Sequence, residues 1–242
     1  MARKPAPESF LARFEKLVAT LKSHPKIEVY DVFVRPPATA ADLRAAEEAV
    51  GPLPPEIRGF YEAHDGVFLE WGLRGEEYEH TQRFQGPDDR HPPGCINLMP
   101  IRLAMSPSWE ANSHVNEIQS EHQELLFGGP LDPPPKVRAV CVDNFARYTH
   151  GDLVFGPEPV MVVSTDYGAD MDSSDFVSFP LYLDITLAIF GADRYEHGLG
   201  IGWTRKSARV TTWHKELELD ALLAKLGDSD EEGEEEAGED EG

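Results

Sequence analysis

Phe10, Phe14, Leu17, Val18 and Leu21 recur on one helical face, and His24-Pro25 ends the run, so the first predicted element is a helix that must pack on something. The β-branched and aromatic stretch "IEVYDVFV" at 27–34, closed by Arg35-Pro36-Pro37, predicts a strand or an extended arm. Thr39, followed three positions later by Asp42, forms a variant capping box for a helix whose Leu43, Ala46 and Val50 share a face and which ends at Gly51. Pro54-Pro55 starts another helix, because a fixed φ and a missing N–H suit a first turn. On it Ile57, Phe60, Tyr61 and His64 fall at i, i+3, i+4 and i+7. Gly66 accommodates a positive φ at its end, and Val67, Leu69, Trp71 and Leu73 then alternate with Phe68, Glu70 and Gly72, the period of a strand.

From Arg74 to Pro93 the chain is polar without a sustained period and reads as a surface loop. Strand-like runs follow at 95–99, 101–105, 137–142, 151–155 and 159–165, with a short helix over 115–127 between them. Phe176, Phe179, Leu183, Leu187 and Phe190 define a core helix that stops at Gly191. "GIGW" and "ARVTTW" suit a hairpin, and Leu219, Leu222, Leu223 and Leu226 mark a last helical face. No internal repeat is visible.

The charge changes this picture at one end. The formal net charge of the 242 residues is −22, and residues 228–242 alone hold ten acids and no base. Such a block repels itself and has nothing larger than alanine to bury, so it predicts a disordered acidic tail. Without it 34 acidic and 22 basic residues remain, a charge of −12, so the body is acidic in its own right. An acidic body repels phosphate backbones, which argues against direct nucleic-acid binding and favours a basic protein partner. Cys95 and Cys141 are the only cysteines, at no zinc-finger spacing, which suits a reducing compartment. Charges interrupt the apolar N-terminal stretch and no segment approaches 18 uncharged apolar residues, so the expectation is a cytoplasmic protein with no membrane association.

Two short helices, the second opened by Leu-Pro-Pro and ended by a small polar residue plus Gly, and then a strand: "TAADLRAAEEAVGPLPPEIRGFYEAHDGVFLEW" resembles the SUKH superfamily. That group includes fungal Smi/Knr-type cell-wall regulators and many bacterial immunity proteins. The resemblance is strongest over 39–73, with Asp65-Gly66 standing where the family usually has Asn-Gly, and extends more loosely through "INLMPI", "GDLVF", "PVMVV" and the helix at 174–190. It implies an α+β domain over 39–191, its helices packed on a curved, mainly antiparallel sheet. Around it lie an N-terminal helix-and-strand extension (1–38), a C-terminal hairpin-and-helix extension (192–227) and the tail. It also implies a binding module and not an enzyme, with an immunity protein that neutralises a toxin, such as a basic nuclease domain, as the leading function. A regulatory or scaffolding adaptor of the same fold is the alternative.

Candidate chemistry is sparse. His64-Asp65 spells a proton-transfer pair, but adjacent residues do not face each other on a helix, so a packing His64 and a turn-forming Asp65 are expected. Asp166, Asp170, Asp172 and Asp175 are the best metal candidates, and would serve a metal-dependent hydrolase, yet the loop lacks the central Gly and final Glu of a calcium loop. "GLGIGW" lacks the strand–helix context of a dinucleotide loop, and most of the nine histidines read as surface residues. No catalytic residue, metal ligand or cofactor is assigned. A partner surface is expected on two segments that place acids around an aromatic: Glu70, Glu76, Glu77, Tyr78, Phe84, Asp88 and Asp89 in the first, and Asp166, Tyr167, Asp170, Asp172 and Asp175 in the second.

Overall fold

Ser9 accepts a hydrogen bond from the Ala12 N–H and opens α1 (Phe10–Ser23), which buries Phe14, Leu17 and Leu21. This is a computed structural model that describes residues 8–78, 91–109, 139–146, 149–156, 158–165, 177–192 and 218–224. The reciprocal capping box of Thr39 and Asp42 is formed at the start of α2 (Ala40–Val50). It ends at Gly51, whose φ of 97° costs a glycine little. Pro55 opens α3 (Pro55–Ala63), which buries Ile57, Phe60 and Tyr61. All three helices were predicted from spacing and caps.

The strands β1 (Ile27–Val34), β2 (Val67–Leu73), β3 (Gly94–Leu98), β4 (Ala139–Asp143), β5 (Thr149–Val154) and β6 (Val160–Thr165) form one sheet. Their spatial order is the chain order, β1 to β6, and every neighbouring pair is antiparallel. The fold is α+β with helices on an antiparallel sheet, as expected. Irregular register in β1, between Val29 and Asp31, and in β4, between Cys141 and Asp143, marks two bulges.

One expectation is overturned. Residues 101–105 are not a strand: Ile101–Ala104 form a single helical turn, α4, with Pro100 at its N-cap and Ile101 and Ala104 buried on one side. So short a stretch, apolar except for Arg102, is ambiguous between the two periods, and the preceding proline decides it. The helix α5 (Phe179–Ala188) is capped by Ser178 and followed by Phe190 and Gly191, both at positive φ. Residues 219–224 are helical too and are called α6. The 115–127 helix, the hairpin of "GIGW" and "ARVTTW", Phe176, Leu226 and the acidic tail lie outside the described residues.

Helices and sheet share one core. It contains Phe14, Leu17 and Leu21 of α1, Leu43 and Ala46 of α2, Ile57 and Tyr61 of α3, Tyr182 and Leu183 of α5, and Leu219, Leu222 and Leu223 of α6. From the sheet it takes Val67, Leu69, Trp71, Ile96, Leu98, Val140, Val142, Leu153 and Met161. The segments expected as extensions before 39 and after 191 therefore contribute to the same core, and β1 is hydrogen-bonded along β2. Trp71 lies over Gly94, where an added Cβ would come within 2.0 Å of the indole, and its Nε1 donates to the Phe190 carbonyl at 2.7 Å.

Candidate functional site

His64 and Asp65 do not form a dyad. His64 is 4% exposed, its ring stacked on Phe10 and set edge-on to Phe60, and its Nε2 has no hydrogen-bond partner. Burial pushes its pKa below the ordinary histidine value, so it packs as a neutral ring. The Asp65 carboxylate instead accepts from the Ile101 N–H at 2.7 Å, tying the end of α3 to the start of α4. Burial raises its pKa and that hydrogen bond opposes the rise. Both residues are structural, as expected.

The informative surface is the sheet face turned away from the helices. Alternation along β2 puts Val67, Leu69 and Trp71 into the helix-covered core, so Phe68, Glu70 and Gly72 project from the other face. The bulge in β1 brings Asp31 opposite Glu70, although Val29, two positions earlier, lies opposite Trp71. Tyr30 sits at that bulge and covers Gly72, where an added Cβ would lie 2.5 Å from its hydroxyl and 2.6 Å from the Tyr78 ring. The two rings are 6.3 Å apart. Around them stand the exposed acids Glu28, Asp31, Glu76 and Glu77. Arg74 directs its guanidinium at the carbonyls of Pro25 and Ile27. Burial first, and then Tyr78 and the acids Glu28, Glu70 and Glu76, push the Tyr30 pKa up to about 12.

Of the predicted partner residues, this patch contains Glu76, Glu77 and Tyr78. Glu70 requires a correction: it is 2% exposed, in the middle of β2 opposite Asp31 and Cys95, and so offers a partner no contact surface. Sequence reasoning took its polar position in the alternation for a solvent-facing one, whereas both faces of β2 are covered. Phe84, Asp88, Asp89, Asp166, Tyr167, Asp170, Asp172 and Asp175 lie outside the described residues. Glu28, Tyr30 and Asp31 were missed because 27–34 was read only as a strand or an extended arm.

A second polar group occupies the same face at the far side of the sheet. Cys141 pairs directly with Asp152, which places their side chains together, and His150 lies two positions before Asp152 on the same face. The bulge in β4 then sets Asp143 opposite Gly151, on the helix-facing side. There Asp143 accepts from the Tyr182 hydroxyl at 2.7 Å and from the Asn97 N–H at 2.8 Å. The bulge thus sends two neighbouring polar residues of β4 to opposite sides. On the outer side His150 Nδ1 and Asp152 Oδ1 are 2.9 Å apart. One ligand atom each of Cys141, His150 and Asp152 lies within 4.8 Å of the others, and all three residues are buried. Most histidines were expected at the surface, and His150 is one that is buried; among the described residues the fold brings these three metal-ligating side chains together.

Comparison of the chain with protein-family models, with curated proteins and with solved structures finds no match. Among the described residues no helix is long and apolar enough to cross a membrane.

Proposed function

We propose that this chain is a non-enzymatic protein-binding module that takes a basic protein partner on the Tyr30–Tyr78 patch and serves as an immunity protein neutralising a basic toxin domain. The carrying observation is the Tyr30–Tyr78 aromatic pair with the exposed acids Glu28, Asp31, Glu76 and Glu77 around it. Rings supply area that stays buried in a complex, and surrounding like charges steer an oppositely charged partner. The net charge of −22 acts in the same direction over longer distances. The resemblance of residues 39–73 to SUKH proteins supports the binding-module reading and the choice of a toxin as partner.

Partner capture from the native cell, followed by binding kinetics with the purified pair, tests this. Joint reversal of Glu76 and Glu77 to Lys should slow association about tenfold at low salt and weaken its salt dependence. Tyr78→Ala should mainly accelerate dissociation. Parent-like kinetics in both variants would place the interface elsewhere.

A further inference from the structure

Cys141, His150 and Asp152 pose a problem that hydrogen bonding within the group does not solve. Asp152 is 0% exposed, and its Oδ2 is buried with no hydrogen-bond partner while Oδ1 faces His150. Among the described residues, Val162 lies opposite it on β6 and the Ala139–Val154 pair lies one step along on the same face, all apolar and buried. A carboxylate in such a place requires a cation close by. A protonated His150 would neutralise the charge but leave Oδ2 unserved. An ion held by the cluster would supply the positive charge and a partner for the free oxygen together.

We infer that Cys141, His150 and Asp152 form a buried binding site for a single divalent transition-metal ion, with zinc the best match. Thiolate, imidazole and carboxylate in one set favour zinc over calcium or magnesium, which take oxygen ligands. Tetrahedral zinc with bonds of about 2.0–2.3 Å holds its ligand atoms roughly 3.5 Å apart. The present limit of 4.8 Å is therefore about 1 Å too wide, a distance that side-chain rotation on adjacent strands can close. Three protein ligands fill three of four tetrahedral positions and leave the fourth to a water molecule. The ion would clamp β4 to β5 next to the β4 bulge. This site is independent of the partner-binding patch, which lies at the β1–β2 side of the sheet.

Cobalt titration of the metal-stripped full-length chain, in the presence of a competing chelator, tests the inference. One equivalent should bind with the intense visible bands of tetrahedral cobalt and a sulfur-to-cobalt charge-transfer band in the near ultraviolet. The chain has only two cysteines, so the assignment is clean: Cys95→Ser should keep the charge-transfer band and Cys141→Ser should lose it. Asp152→Asn should lower affinity at least tenfold. If Cys141→Ser does not fold, X-ray absorption of the zinc-loaded Cys95→Ser protein, showing one sulfur and the rest nitrogen or oxygen, decides the same point. Failure to retain metal against the chelator, a bound ion without sulfur, or a band that survives in Cys141→Ser would each overturn the site. Weak octahedral cobalt alone would identify nonspecific binding to the acidic surface and also overturn it.

Discussion

The two faces of the sheet both bury side chains but are built from different chemistry. Under the helices lie Leu69, Trp71, Ile96, Leu98, Val140, Leu153 and Met161, and the buried charge there, Asp143, receives two hydrogen bonds. The opposite face carries Glu70, Cys95, Cys141, His150 and Asp152 at 5% exposure or less, with Phe68 and Phe145 in a separate small cluster. Apolar side chains can be buried on stability grounds alone, whereas a buried carboxylate or imidazole costs free energy unless something answers it. The first face therefore explains why the chain folds, and the second is where binding chemistry is to be sought.

The strongest attack on this contrast is Trp71→Ala, which removes a fully buried indole and its hydrogen bond to Phe190. A loss of about 3–5 kcal/mol is expected in urea unfolding, and a loss below about 1 kcal/mol would show that the helix-covered face is not the main source of stability. Tyr182→Phe probes the polar link on that face. It leaves Asp143 Oδ2 without the hydroxyl that now donates to it and should cost about 1–3 kcal/mol in the same assay. A neutral result would mean that the Asp143 interaction with the Asn97 N–H suffices.

His64 tests whether a lone polar ring can behave as a core residue. Its folded pKa is lowered, so the unfolded chain binds the proton more readily, and stability is full above about pH 6.5 and falls as the pH drops below that value. His64→Phe should lie within about 1 kcal/mol of the parent near neutral pH and gain relative to it in acid. A constant difference between urea midpoints at the two pH values would remove His64 as an acid-sensitive element. The smallest effect belongs to Tyr30, whose raised pKa stabilises the fold fully below about pH 10 and progressively less as the pH rises toward about 12. Because the ring is partly solvated, Tyr30→Phe should alter alkaline stability by only a few tenths of a kcal/mol. Ultraviolet titration should show one late-ionising tyrosine missing from the variant.

Legibility in the sequence followed the same division. The helix-covered face announces itself through period and caps: Phe14, Leu17 and Leu21, the Thr39–Asp42 box, and Val67, Leu69 and Trp71 were all readable. The other face depends on which residues lie opposite each other, and sequence does not state register. Cys141 and Asp152 fell within predicted strands, yet their pairing was not foreseeable, and β5 begins at Thr149, two positions before the run that was read, which excluded His150. Similarly, the bulge that sends Tyr30 over Gly72 leaves no mark in "IEVYDVFV". The short turn at Ile101–Ala104 shows the reverse failure, an apparent strand that a proline made helical.

The chain-order pairing of the six strands bears on how the molecule forms and how it can change. Each strand need find only the one before it, and β4, β5 and β6 follow one another through short connections, whereas the β1–β2 and β3–β4 pairings close longer loops. Connections between strands can lengthen at modest entropic cost, because loop closure grows only logarithmically with length. The last step is different: α1 meets α5 through the Arg13–Asp184 ion pair, and His24 reaches Asp220 at 3.0 Å. Those contacts join the beginning of the described chain to its end and would form after the sheet has been laid down, so a truncated chain released early could hold its first strand pair while lacking the cover that the later helix supplies.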